Sequence, residues 1–586
     1  MSGGPFFGRL TIGARRFRVR RRYASMPQRR RTDPPARSGV DTMPAPDSAD
    51  SIAALRQRAA ARPDDAATLA ALGTALWQAG RRDEAMPHLA RAVALDPSHP
   101  DARNNYGNAL SATGEFSAAA EQYRAAIALR PESAELHYNL GNMLLMTERP
   151  DEAEPCLRAA LARQPAHAGA HNNLGNALRA QGRHEAAIAC YQAALALRPE
   201  YFGTSNNIGS ALLALHRPAE AVAYFEAALA ARPDYAEACN NLGGAMLALG
   251  RPADAAAWFA RAVALEPGHI QARFGTALAL LTQGDFRQGW PAYEARWDNP
   301  QFRADTPDFA AIRWTGEAGI AGRSILLHAE QGLGDTIQFA RFSSGVRALG
   351  ARVTLWVPAK LMTLLAPLAD VIADQAAPPP DTDFHCPLMS LPLAFGTEAD
   401  TIPPAPYLAA DPARIAAWTA RLGPRRRPRI GIAWSGSADH PEDALRSLRL
   451  ADFLRPLHGR DAELHVLQTD LPAADAAILA ASPGLADHRA ELPDFAETAA
   501  LIAAMDLVIS VDTSVAHLAG ALGAPVWVLL QAGADFRWLE HRGDTPWYPT
   551  MRLFRQTQPL DWAPVLDRIA SALDDHLAGE DPIAWR

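Results

Sequence analysis

Apolar and polar positions in the N-terminal half of the chain recur every 34 residues. Glycine stands at Gly73, Gly107, Gly141, Gly175, Gly209 and Gly243, and alanine keeps the same step at Ala85, Ala119, Ala153, Ala187, Ala221 and Ala255. A bulky residue follows four places later (Leu89, Tyr123, Leu157, Tyr191, Phe225, Phe259), and Pro97, Pro131, Pro165, Pro199, Pro233 and Pro267 close the units. Small residues let two helices approach, the bulky one fills the gap between them, and proline ends the second helix. The pattern predicts six full helix pairs over 66–269, a lone helix over 51–62 before them, and a degenerate seventh pair with Ala277 in the glycine position and Gly284 at its turn. Near 301–308 the helical period gives way to an α/β alternation. Short apolar runs predict strands at 325–327, 353–357, 429–433, 464–467, 507–511 and 526–530, with a helix over 336–349 and a proline-rich stretch running to 406.

The expected organisation is multidomain: an all-α solenoid, then two consecutive doubly wound, Rossmann-like lobes with a cleft between them. Its segments are an arginine-rich tail over 1–46, helical repeats over 47–303, a first α/β lobe over 304–410 and a second over 411–586.

A fixed period of 34 residues with these residue classes resembles the tetratricopeptide repeat, or TPR. Within it a second ladder, Asn105, Asn139, Asn173, Asn207 and Asn241, runs through the first helix of each pair. Asparagine is a poor interior helix residue, costing about 0.6 kcal/mol against alanine, so five in register need a reason. Either each amide satisfies groups of the neighbouring repeat, or the amides line a groove and clamp the backbone of an extended peptide. The ladder resembles the TPR arm of protein O-linked N-acetylglucosamine transferases, which implies a protein or peptide acceptor.

Composition narrows the field. With 586 residues, 48% hydrophobic and 21% charged, the chain has material for several cores, and its net charge of −7 gives no footprint for nucleic acid. Cys156, Cys190, Cys239 and Cys386 lack metal or disulfide spacing and point to a reducing compartment. No apolar run approaches the roughly 20 residues of a membrane-spanning helix. These features predict a cytoplasmic protein. Between Arg9 and Arg37 arginines crowd, with Asp33 the only acid. That stretch reads as a disordered tail: a targeting or tethering segment, or an extension upstream of a start at Met43.

Three strand ends carry candidate chemistry. After the strand at 507–511, Asp512, Thr513 and Ser514 open a helix, leaving free N–H groups and hydroxyls where a diphosphate could bind, with His517 one turn in. The plainer reading is that Asp512 or Thr513 caps the helix and His517 is a core residue. After 429–433, Trp434, Ser435 and Gly436 form a small-residue turn suited to close approach of a phosphate or sugar. Gln468 lies at the next strand end, where it either contacts ribose or base or is an ordinary strand-end polar residue. In the first lobe a loop with Gly332 and Gly334 precedes Asp335, whose plain role is a helix N-cap.

The segment around Asp512–His517, with Asp535-Phe536-Arg537-Trp538 and Asp544-Thr545-Pro546-Trp547-Tyr548 downstream, resembles the heptosyltransferase-like glycosyltransferases of family 9 over residues 323–556. The resemblance implies the GT-B fold, a nucleoside-diphosphate sugar in the second lobe and an acceptor in the first. It makes Asp335 the candidate general base, with His328 and Glu330 in reserve. A lysine of that family helps neutralise the donor diphosphate. The one lysine here is Lys360, so Arg446 or Arg449 must substitute. The resulting expectation is a metal-independent glycosyltransferase without a resident cofactor, hexosyl- or heptosyl-type, acting on a protein hydroxyl presented by the repeats, with homo-oligomerisation open. The alternatives are a family 9 enzyme acting on lipopolysaccharide or another glycan, and a TPR scaffold whose second half has lost catalysis.

Overall fold

The computed structural model describes residues 48–304, 306–317, 319–437 and 443–583. The arginine-rich tail over 1–46 lies outside the described residues. The described chain forms two compact units, one ending at Pro233 and the other beginning at Asp234.

The first unit holds a lone helix, Ser48–Ala61, and five helix pairs. First helices (Ala66–Gln78, Pro100–Ala112, Ala134–Met146, Ala168–Ala180, Phe202–Ala214) have 13 residues, and second helices (Arg82–Leu95, Phe116–Leu129, Pro150–Arg163, His184–Leu197, Pro218–Ala231) have 14. Side chains of Asp65, His99, Ser133 and His167 accept a backbone N–H three residues on, capping four of the first helices. The periodic glycines have the role the spacing implies. A Cβ on Gly107 would lie 2.8 Å from the Tyr123 ring, and one on Gly175 2.5 Å from that of Tyr191. Each turn inside a pair passes through a left-handed residue, Gly80, Gly114, Glu148, Gly182 and His216, two of which carry a side chain.

The second unit opens with two further pairs, Ala236–Ala248 with Pro252–Leu265 and Ile270–Thr282 with Phe286–Tyr293. Two parallel sheets follow. The first contains β1 (Ile312–Arg313), β2 (Ser324–His328), β3 (Arg352–Val357), β4 (Val371–Asp374) and β5 (Phe384–Pro387) in the order β1-β5-β2-β3-β4. The second contains β6 (Arg429–Ala433), β7 (Glu463–Val466), β8 (Leu485–Asp487), β9 (Leu507–Val511), β10 (Val526–Leu530) and β11 (Met551–Arg555) in the order β11-β10-β9-β6-β7-β8. The chain therefore winds outward from β6 and then crosses to β9, which puts a switch point between the carboxyl ends of β6 and β9. A second one lies between β2 and β5. At such points loops diverge and leave a crevice.

Strands β6, β9 and β10 are buried along their whole length, as their short, mostly apolar runs predict. The stretch to 406 that reads as proline-rich remainder contains β4 and β5, and the helix expected over 336–349 is instead Leu333–Phe339, a tight turn at Ala340–Phe342, and Ser343–Ala348. One apolar cluster runs from Ala277, Phe286 and Trp290 through both sheets, and a second covers the other face of the β6–β11 sheet. Trp290 is the hinge of the first cluster, its ring meeting Phe339, Phe536 and Trp547 edge-on at 5.8–6.2 Å.

Candidate active site

The strand ends at the β6/β9 switch point face the helix Leu333–Phe339 of the first sheet, which packs against the helix Ser514–Ala521. Gly334 makes that approach possible, since a Cβ there would lie 2.8 Å from His517 Cδ2. Its role is packing between lobes. Gly332 is the N-cap, and its N–H donates to Asp335 Oδ2 at 2.9 Å.

Asp335 is thus not the cap itself but the third helical residue, reaching back to the cap N–H. Its other oxygen accepts from Arg537, which also donates to Asp535. Burial pushes the Asp335 carboxyl above its ordinary range, and the pull of Arg537 only partly offsets it. Burial alone would lower the Arg537 guanidinium, yet Asp335 and Asp535 hold it charged.

Asp512 stands opposite. Its Oδ2 accepts from Trp538 Nε1 at 2.8 Å and its Oδ1 lies 3.8 Å from His517 Nε2. Burial raises this carboxyl too, against the pull of Arg446. His517 stacks on Trp538 at 5.2 Å, and its Nδ1 is 3.1 Å from the Tyr548 hydroxyl. Burial, helped by the charges of Arg537, Arg341 and Arg446, holds its imidazole well below the usual value, so it is neutral at pH 7. Neither Asp512 nor Thr513 caps the helix with its side chain: Thr513 Oγ1 meets Ser510 Oγ at 3.0 Å, leaving the first N–H groups from Ser514 onward without a side-chain cap.

Beside these carboxylates stands Arg446, which is only loosely paired. Among the described residues its ion-pair partner is Asp443 at 3.7 Å, its Nε has no hydrogen-bond partner, and its charge reaches Asp335, Asp512 and His517. Gly436 makes room for it, because a Cβ there would lie 2.5 Å from Arg446 Nη2. Arg449 is exposed at the start of the next helix, where the structure gives it no such part.

Several expectations are corrected. The Gln468 amide is taken up within the protein: its Oε1 accepts from Trp434 N (2.8 Å) and Ser435 N (3.1 Å), and its Nε2 donates to Ser435 Oγ and Asp470 O. It therefore builds the β6 turn. Trp434 is fully buried and bonded to Asp475. Glu330 is no spare base, being buried in a pair with Arg296 (Nη2 to Oε1, 2.9 Å) and accepting from Met389 N. His328 is buried against His385 at 3.2 Å, beside the ring of Phe309. Both occupy the β2/β5 switch point, which the Arg296 network fills, leaving a narrow recess beside Asp335, Glu330 and Met389.

The asparagine ladder bonds within the solenoid. Asn105 donates to Thr74 Oγ1 at 2.9 Å, Asn139 to Asn104, Asn173 to Asn142, and Asn207 to Asn172 and Asn176, each partner one repeat earlier. In the second unit Asn241 is buried. Residues that received no role from the sequence, yet shape the site, are Arg537, Trp538 and Tyr548; the Asp535–Trp538 quartet was conspicuous, but nothing in its spacing said what it held.

Models of the tetratricopeptide repeat match residues 66–109, 107–147, 147–202 and 206–270, and the model described as glycosyltransferase family 9 (heptosyltransferase) matches residues 491–532. The chain thus carries TPR repeats and, further on, a segment similar to family 9 glycosyltransferases. That segment contains β9, Asp512, Thr513, Ser514 and His517. Protein FlbA of Caulobacter vibrioides is 30% identical over 345 residues, 52% of this chain and 55% of that protein, so the chain spans about half the length of this curated relative. Among solved structures, YrrB, titled a TPR protein with an unusual peptide-binding site, is similar over 32% of this chain and 95% of its own (22% identity, TM-score 0.30). PilF of Pseudomonas aeruginosa is similar over 36% and 97% (21% identity, TM-score 0.32). Among the described residues no helix is long and apolar enough to cross a membrane.

Proposed function

We propose that the second unit is a glycosyltransferase of GT-B type that moves a sugar from a nucleoside-diphosphate sugar to an acceptor hydroxyl, most simply a protein hydroxyl bound through the TPR repeats. The observation that carries this reading is the convergence at the β6/β9 switch point: an uncapped helix start at Ser514, the Asp512 carboxylate and the loosely paired Arg446 face Asp335 from the other sheet. The donor diphosphate would lie against the helix start and Arg446, whose charge and N–H groups favour an anion. In the transfer step Asp335 takes the acceptor hydroxyl proton, the acceptor oxygen bonds to the anomeric carbon, and the bond from that carbon to the diphosphate oxygen breaks. The leaving nucleoside diphosphate carries the electron pair, and its charge falls to the helix start and Arg446 rather than to a metal. Asp335 retains unused lone pairs beside its bonds to Gly332 N and Arg537, so it can still accept a proton.

The test is a thermal-shift panel with UDP, GDP, ADP, CDP and dTDP. A ligand at about 100 times its dissociation constant stabilises the fold it binds by about 2.7 kcal/mol. A shift with one nucleotide, lost in Asp512→Ala, is expected. No shift with any of the five would leave the chain as a TPR binding protein without a donor.

A further inference from the structure

Residues 531–538 connect β10 to the site, and they touch two other parts of the second unit on the way. Gly533, at a φ of 63°, lies so close to the end of the helix Ala236–Ala248 that a Cβ would sit 2.5 Å from the Leu247 carbonyl oxygen and 2.9 Å from that of Ala248. Phe536 then packs against Trp290 (5.8 Å) and Tyr293 (5.7 Å) of the degenerate repeat. Directly after Trp538, Leu539 is held at φ 52° and ψ −169°, a region in which only glycine is at ease. A leucine stays there only because its surroundings over-determine it, and Leu539 is buried beside Gly284 of the degenerate repeat. Between these fixed points the segment delivers Arg537 to Asp335 and Trp538 Nε1 to Asp512.

We infer that residues 531–538 are a positioning element: Arg537 aims the Asp335 carboxylate, Trp538 aims the Asp512 carboxylate, and the seat of the segment on the repeat helices sets both at once. The roles of the two carboxylates rest on the transferase reading, whereas the mechanical link does not. A carboxylate held by a cation in one orientation presents its remaining lone pairs in one direction, and a loop anchored on the helices whose family binds partners transmits any displacement of those helices to both acids. The charged groups facing Asp335 are Arg537, Asp535 and Arg446, with the His517 ring against the neighbouring Gly334 and Glu330 across the recess.

Carboxyl labelling of the full chain tests this without any substrate. A water-soluble carbodiimide with glycinamide is applied between pH 4.5 and 7.5, and peptides containing Asp335 and Asp512 are quantified by mass spectrometry against the exposed Asp461 (side chain 86% accessible). In Arg537→Met, Asp335 labelling at pH 6 is expected to rise about tenfold, the factor that about 1.4 kcal/mol of lost pairing corresponds to. Its pH midpoint should move upward, because an opposing charge that held the carboxylate ionised is gone. Arg537→Lys should restore much of the protection. Gly533→Ala, which touches neither acid, should raise labelling of both; should it fail to fold, Trp290→Phe loosens the Phe536 seat and reads the same quantity. Labelling of Asp335 within twofold of wild type in Arg537→Met, or of both acids in the seat variants, overturns the inference. A nucleotide panel without response would overturn the transferase reading and leave the labelling result standing.

Discussion

The edge of the second sheet should make the protein sensitive to acid through one histidine pair. His465, in β7, and His488, just after β8, meet ring to ring with Nδ1 and Nε2 3.0 Å apart, so one nitrogen donates and the other must accept. The groups around them are Glu463, Arg429, Glu491, Arg421, Asp487 and the edge of Trp418. Burial, with help from His488 and Arg429, holds the His465 imidazole down at about 4. A histidine kept neutral in the fold while its unfolded counterpart titrates near 6.5 contributes stability that is complete above 6.5 and is lost as pH falls toward 4. By pH 5 the loss is about 2 kcal/mol, from roughly 1.5 pH units at 1.36 kcal/mol each. The perturbation is His465→Gln, whose amide keeps one hydrogen bond to His488 and does not titrate. Urea unfolding followed by tryptophan fluorescence at pH 7.5 and pH 5.0 should show the variant losing about 2 kcal/mol less than wild type over that interval. His328, His385 and His517 contribute equally to both proteins and cancel in the difference. Equal losses in the two proteins would refute the reasoning, since the buried neutral pair would then carry no linkage.

Three further outcomes follow from the site and the repeats. Arg446→Met should weaken nucleoside-diphosphate binding by at least about tenfold in calorimetry, as loss of a charge-assisted hydrogen bond costs about 1.5–3 kcal/mol, whereas Arg449→Met should stay within about twofold. The reverse order would move the diphosphate away from Gly436. Arg296→Met should destabilise the second unit by about 3–5 kcal/mol in urea unfolding by stranding Glu330, and Arg296→Met with Glu330→Gln should recover most of it; no recovery would mean the two side chains act independently. In the first unit His216→Gly should raise stability by about 1 kcal/mol, read by circular-dichroism melting, because the left-handed turn at φ 58° costs a side chain that much; a loss would show that the imidazole has a compensating contact.

The helical half was legible because each position in a repeat does one physical job six times over, and chance agreement falls with every copy. Strands buried on both faces, such as β6 and β9, were equally plain, as short runs that are mostly apolar. What the one-dimensional pattern hides is short or half-exposed: β4 lies at a sheet edge with no fully buried residue, and β5 ends in Pro387. Asp335, Asp512, Thr513 and His517 stand out in the sequence because each sits at a strand end or helix start, where spacing is informative. Glu330 and His328 shared that advantage and misled, since a strand end does not reveal that Arg296, from 34 residues upstream, or His385 will occupy the side chain. Gln468 failed in the same way, its amide being taken by the adjacent turn. Arg537 and Trp538 could not be assigned because their partners are 202 and 26 residues away: the packing of the two sheets brings Arg537 to Asp335, and the pairing of β9 with β10 brings Trp538 to Asp512.

On the proposed reading, these carboxylates and Arg446 form a sugar-transfer site. The most direct measurement supplies purified full-length protein with the nucleotide sugar selected by the panel and an extract of cells lacking this protein, then searches acceptor proteins for an added sugar mass on a hydroxyl. The expected result is a glycopeptide formed by wild type, reduced by at least about 100-fold in Asp335→Asn, the lower range for loss of a general base, and absent with Asp512→Ala. Nucleotide binding with no sugar added to any protein, or full transfer by Asp335→Asn, would contradict it.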